Sequence, residues 1–173
     1  MTGETANPGS TAHPNDPAHA TRAAWLRLLA LAEPDALAGA YARLAGLAPL
    51  PAYRLLRKPE SGMAMVRGRA GGTGARFNLG EITVSRCAVV LEAAPGTQDG
   101  ATAGVAYVQG RDCRHVEHAA VLDALLQRPE WHQRVQEIVL APIARRLADR
   151  AAQEAAIAAQ TRVEFFTMAR GED

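Results

Sequence analysis

The stretch Arg67-Gly68-Arg69-Ala70-Gly71-Gly72-Thr73-Gly74-Ala75-Arg76-Phe77 does most to limit what this chain can fold into. Four of its eleven residues are glycine and three are arginine. Glycine reaches positive φ at no steric cost, so such a cluster marks a tight turn or a loop that exposes its backbone. Helical patterns and a hairpin lead into it. A strong strand pattern and then further helices lead away. The chain therefore reads as α+β: short N-terminal helices, a mainly antiparallel sheet of about four strands, and C-terminal helices packed on that sheet.

In detail, residues 1–20 read as a tail without fixed structure, and residues 21–173 as one domain. Pro8, Pro14 and Pro17 stand among small polar residues with little to bury. Thr21 is placed to cap a helix carrying Trp25, Leu28, Leu29 and Ala32 at i, i+3, i+4, i+7. Pro34 fits the first turn of a second helix with Leu37, Tyr41 and Leu44 on its stripe. Tyr53 to Arg57 and Met63 to Arg69 read as paired strands about a turn at Lys58-Pro59-Glu60-Ser61-Gly62. Glu81 to Leu91, rich in β-branched residues, is the third strand, and Ala103 to Val108 the fourth. Asp112 is a plausible N-cap for a helix with apolar Val116, Ala119, Ala120, Leu122, Leu125 and Leu126, on whose broad face Asp123 also falls. Pro129 ends that helix. Another carries Trp131, Val135, Ile138 and Val139, and past an interruption at Pro142 a long Ala-rich helix follows. The closing Phe165-Phe166-Thr167-Met168 run is costly to leave in water and is expected to insert into a core or a partner, with Arg170 beside it.

Composition removes several function classes. The chain has 19 basic and 18 acidic residues, a balance that disfavours nucleic-acid binding by counterion displacement. No apolar run approaches the ~20 residues of a membrane span. Cys87 and Cys113 match no zinc spacing and suggest no disulfide scaffold, so a reducing cytoplasm is the expected compartment. No metal site is assigned.

Two places carry candidate chemistry. Arg69, Gly71, Gly72, Thr73, Gly74 and Arg76 offer open backbone N–H groups between two guanidinium groups, a pattern that suits an anion or a nucleotide. They lack the Lys-Ser/Thr of a P-loop and the order of a dinucleotide fingerprint, and a plain strand-connecting turn is the reading favoured over an anion cradle. Arg111, His115, Glu117 and His118 surround one helix start. A phosphate met there by Arg111 is one reading. Ordinary surface side chains are the other. No residue is assigned a catalytic role, and a free-standing small-anion binding domain stands as an alternative function.

Three blocks carry a resemblance. They are Arg69-Ala70-Gly71-Gly72-Thr73-Gly74-x-Arg76-Phe77 with Gly80-Glu81-x-Thr83-Val84-x-Arg86; Tyr107-Val108-Gln109-Gly110-Arg111-Asp112-x-x-His115-x-Glu117; and Glu164-Phe165-Phe166-Thr167-Met168-x-Arg170-Gly171. Together they resemble the PhnG family, the G subunit of the bacterial carbon–phosphorus lyase system. The resemblance implies a cytoplasmic core complex with H, I and J subunits, two copies of each G-type chain, and the I subunit as the most direct neighbour. It implies a part in converting ATP and an alkylphosphonate to ribose 1-alkylphosphonate 5-triphosphate and adenine during phosphonate catabolism. ATP is then a substrate of the complex, and the chain has no cofactor of its own. The chemistry falls to the I subunit and, for the later C–P cleavage, to the radical iron–sulfur J subunit.

Overall fold

The computed structural model describes residues 17–92 and 100–161. The described elements are helices α1 (Pro17–Leu31) and α2 (Pro34–Leu47), strands β1 (Tyr53–Arg69), β2 (Arg76–Leu91) and β3 (Thr102–Gln109), and helices α3 (Cys113–Leu126), α4 (Pro129–Val135) and α5 (Ala141–Gln160). The strands form one antiparallel sheet in the order β1-β2-β3. The α+β class and antiparallel pairing agree with the expectation; the strand count does not. There are three strands among the described residues, because Lys58 to Gly62 is not a turn but the middle of β1.

That difference has a physical cause. β1 is an edge strand, where the missing N–H of Pro59 need not interrupt a ladder on its outer side. The register shifts between Leu55 and Arg57 and again between Arg57 and Glu60, so bulges absorb the proline. Glu60 accepts hydrogen bonds from both Arg57 and Arg86 and ties the bulged stretch to β2. β2 likewise starts at Arg76 rather than Glu81, leaving only the glycine loop between the two strands.

The sheet buries one face. Ser85, Cys87, Val89 and Leu91 of β2 alternate inward, as do Gly104, Ala106 and Val108 of β3. Helix α3 lies on that face, and α1 and α2 pack against α3 in turn. Sandwiched in this way, α3 is buried at every position from His115 to Leu126 except Glu117 and His118. Contact with the sheet is close at Gly104, where a Cβ would stand 2.1 Å from the Ala120 carbonyl oxygen. Asp123, fully buried, accepts from Trp25 Nε1 at 2.8 Å and from the Val105 N–H at 2.9 Å, joining α1, β3 and α3.

Helix boundaries shift in two places. α1 begins at Pro17, so Thr21 lies inside it instead of capping it. Pro suits a first helical position, where no intrahelical N–H bond is owed. Pro142 does not break the last helical run. A π-helical stretch, Gln136–Leu140, joins α4 to α5, and Ala141 N–H reaches back to the Gln136 carbonyl. This wider turn relieves the clash and lost hydrogen bond that proline brings to a helix interior.

Candidate functional site

β3 stops pairing with β2 at Val84, opposite Gln109. Beyond it, β1 and β2 continue alone as a two-stranded ribbon that ends in the glycine loop. The last pair is Arg69 opposite Arg76. A short 3-10 turn, Ala70–Gly72, follows, with Gly71 at φ 59° and Gly72 at φ 79°. Both values lie in the left-handed region that favours glycine. Gly74 N–H donates to the Ala70 carbonyl at 3.1 Å, and Arg69 Nη1 donates to the Gly74 carbonyl at 3.1 Å. Thr73 is exposed. The glycines therefore close a hairpin tip. Strand alternation puts Arg67 on the same side as Arg69. Like charges directly opposite in a ladder are unfavourable. Among the described residues, none of Arg67, Arg69 and Arg76 is in an ion pair.

The second cluster forms at the start of α3. Asp112 caps the helix as its sequence suggests: its Oδ1 accepts from the His115 N–H at 2.9 Å. His115 departs from the surface reading. It is buried, and Nε2 lies 2.8 Å from the Leu29 carbonyl oxygen. A carbonyl only accepts, so Nε2 carries the proton. Glu117 accepts from Tyr53 Oη at 2.7 Å. His118 stacks on Tyr41 with ring centroids 4.1 Å apart. Arg111 is exposed beside this group.

Electrostatics here favour the neutral form of each group whose titration is shifted. Burial, then the Glu117 hydrogen bond and charge, pushes the Tyr53 phenol well above the ordinary tyrosine range. Burial and Glu117 raise Tyr41 in the same direction. Burial, then the positive charge of Arg114, lowers His118. Cys87 on the adjacent strand is pushed up to about 11 by burial and by Glu117, so its thiol stays protonated and donates to the Arg57 carbonyl at 3.4 Å. Tyr41, Tyr53 and Cys87 therefore keep their protons, while Glu117 acts as an acceptor.

The two clusters do not meet. Gly110 N–H bonds the Thr83 carbonyl at 2.9 Å and ties the entry to α3 to that point of β2. At ~3.3 Å per residue, the strand from Thr83 to Arg76 carries the tip roughly 20 Å beyond it. Arg69, Gly71, Gly72, Thr73, Gly74 and Arg76 thus form one locus, and Arg111, His115 and Glu117 another. Phe165, Phe166, Met168 and Arg170 lie outside the described residues. Sequence reasoning missed the roles of Tyr41 and Tyr53. Tyr53 is 64 positions from Glu117, and no local spacing signals such a pair.

A family model described as phosphonate metabolism protein PhnG matches residues 20–171. The chain belongs to the PhnG family. A relative from Rhizobium meliloti (strain 1021), named alpha-D-ribose 1-methylphosphonate 5-triphosphate synthase subunit PhnG, is 41% identical over 123 residues, which is 71% of this chain and 74% of the relative. The PhnG match spans both loci, the ribbon tip and the start of α3. No described helix is long and apolar enough to cross a membrane.

Proposed function

We propose that this chain is a non-catalytic subunit of an alpha-D-ribose 1-methylphosphonate 5-triphosphate synthase within a cytoplasmic C–P lyase core complex. It assembles with H, I and J subunits, in two copies, with the I-type subunit as its direct neighbour. The complex converts ATP and an alkylphosphonate to the ribose 1-alkylphosphonate 5-triphosphate and adenine; ATP enters as substrate, and this chain binds no cofactor of its own. The observation that carries the reading is the PhnG match across residues 20–171. The geometry agrees with it. His115 is held by the Leu29 carbonyl, Glu117 by Tyr53 and Asp112 by the helix it caps, so these polar groups serve the fold. Co-expression with the other subunits, with adenine release from ATP and methylphosphonate as readout, tests it. Release is expected to require this chain. Release of equal rate without it overturns the reading.

A second, site-completing reading is favoured by one observation: Arg69 directly opposes Arg76 at the ribbon tip. An anion between them relieves the repulsion, and the triphosphate of the substrate is such an anion. Arg69→Ala and Arg76→Ala in the assembled complex are then expected to lower adenine release and leave subunit content unchanged. Unchanged release returns the tip to a purely architectural role.

A further inference from the structure

We infer that the distal β1–β2 ribbon, from Ser61 to Thr83, is an insertion arm seated in an apolar cleft with an acidic rim on another subunit of the synthase. This rests on the reading of the chain as a synthase subunit.

The ribbon exposes apolar side chains on both sides, and its methionine side also carries Arg67 and Arg69. Met63 and Met65 pair with Thr83 and Glu81, and strand alternation puts them on the side that carries buried Ser85 further back. Helix α3 does not follow the sheet that far, and both methionines stand exposed. On the other side the pairing changes. Val66 pairs with Gly80 and Arg67 with Asn78, which leaves Leu79 as an extra residue on β2. Leu79 lies over Gly68, where a Cβ would come within 2.6 Å of its Cδ1. Gly68 faces Phe77, and alternation puts that pair opposite the methionines. Phe77 and Leu79 are 46% and 60% exposed, and Met63 and Met65 are 69% and 49% exposed.

A lone two-stranded ribbon is marginal in water, and this one exposes large apolar groups on each side. A flat partner surface covers one side only. A cleft covers both. Charge names the occupant. The ribbon holds Arg67, Arg69 and Arg76 against a single carboxylate, Glu81. A second copy of this chain packed ribbon to ribbon sets Arg67, Arg69 and Arg76 against the same arginines, so that self-complementary contact offers no acidic complement. A different subunit with carboxylates around an apolar cleft does.

The test uses the co-expressed assembly. Phe77→Glu with Leu79→Glu puts charge into the buried contact and is expected to weaken association with the co-subunits by at least about 100-fold. The same isolated variant keeps the wild-type unfolding midpoint, because both positions are exposed. Higher salt is expected to weaken the wild-type assembly further. Independently, a photocrosslinking residue in place of Leu79 is expected to join this chain to another subunit. Equal association of variant and wild type, or a crosslink only to a second copy of this chain, overturns the arm and leaves the subunit reading intact. Failure of the wild-type chain itself to associate removes the subunit reading.

Discussion

Arg22 grips Asp123 with two hydrogen bonds, Nε to Oδ1 at 3.1 Å and Nη2 to Oδ2 at 2.6 Å, across 101 positions of the chain. The carboxylate is fully buried, while the arginine keeps partial access to solvent. Trp25 Nε1, the Val105 N–H and, at 3.5 Å, Gln127 Nε2 also donate to it. A planar guanidinium fork suits this paired geometry. Asp123 therefore pins the first helix and the last strand to α3.

Asp123→Ala is expected to destabilise the chain by about 2–4 kcal/mol, since it strands the buried Trp25 and Val105 donors. Urea unfolding followed by circular dichroism measures this. Arg22→Lys is expected to recover only part of the wild-type value, because an ammonium cannot make the fork. A loss under about 1 kcal/mol for Asp123→Ala would show that the network adds little.

Gly104→Ala tests the approach of α3 to the sheet. The added methyl meets the Ala120 carbonyl and Ala124, which belong to a buried helix and cannot swing aside. The cost is expected to be about 1–3 kcal/mol or more. Gly46→Ala near the end of α2 meets nothing within 4 Å and provides the contrast. It is expected to be neutral or to stabilise by up to about 1 kcal/mol, through helix propensity and a less free unfolded chain. Chemical denaturation of the two variants in parallel separates a packing effect from a general intolerance of glycine replacement.

The Tyr53–Glu117 pair predicts behaviour in alkali. The folded pKa of Tyr53 is raised, so its contribution is full below the unfolded value near ~10 and is lost as pH rises through the folded value. Glu117→Gln removes the neighbouring charge. Spectrophotometric titration of the phenols is expected to show Tyr53 ionising at lower pH in that variant. An unchanged titration would mean that burial alone sets the shift.

His118 predicts behaviour in acid. Its folded pKa is lowered by burial and by Arg114, opposed by Glu117 and Asp112, with His115 adding to the lowering. The folded state thus binds fewer protons than the unfolded chain. Stability is full above the unfolded value near ~6.5 and declines as pH falls through the lower folded value. His118→Gln is expected to flatten the fall in thermal midpoint between about pH 7 and pH 5. Identical slopes for variant and wild type would assign the acid sensitivity to other groups.

Much of this architecture is local and was legible from local signals. The stripes Trp25-Leu28-Leu29-Ala32 and Leu37-Tyr41-Leu44, the cap at Asp112 and the turn at the glycine cluster each depend on neighbours within one or two turns of chain. Trp25, Leu29, Leu37 and Leu44 are buried as those stripes require. Family membership was legible for the same reason: its three blocks are short runs of fixed spacing.

What the tertiary structure decided depends on groups that meet across long separations. Lys58-Pro59-Glu60-Ser61-Gly62 has turn residues, yet it runs as strand because β1 lies at the sheet edge and Arg86 on the neighbouring strand holds Glu60. Asp123 sits on an apolar stripe, and only the arrival of Arg22 and Trp25 makes its burial tolerable. His115 looks like a surface histidine until Leu29 supplies a carbonyl. The same division holds for the candidate site. Composition by itself marked the arginines and glycines of the tip. Their separation from Arg111, His115 and Glu117, and the exposure of the ribbon that carries them, follow from β3 ending its pairing at Val84. A strand's length is a local property, but where its neighbour stops is not.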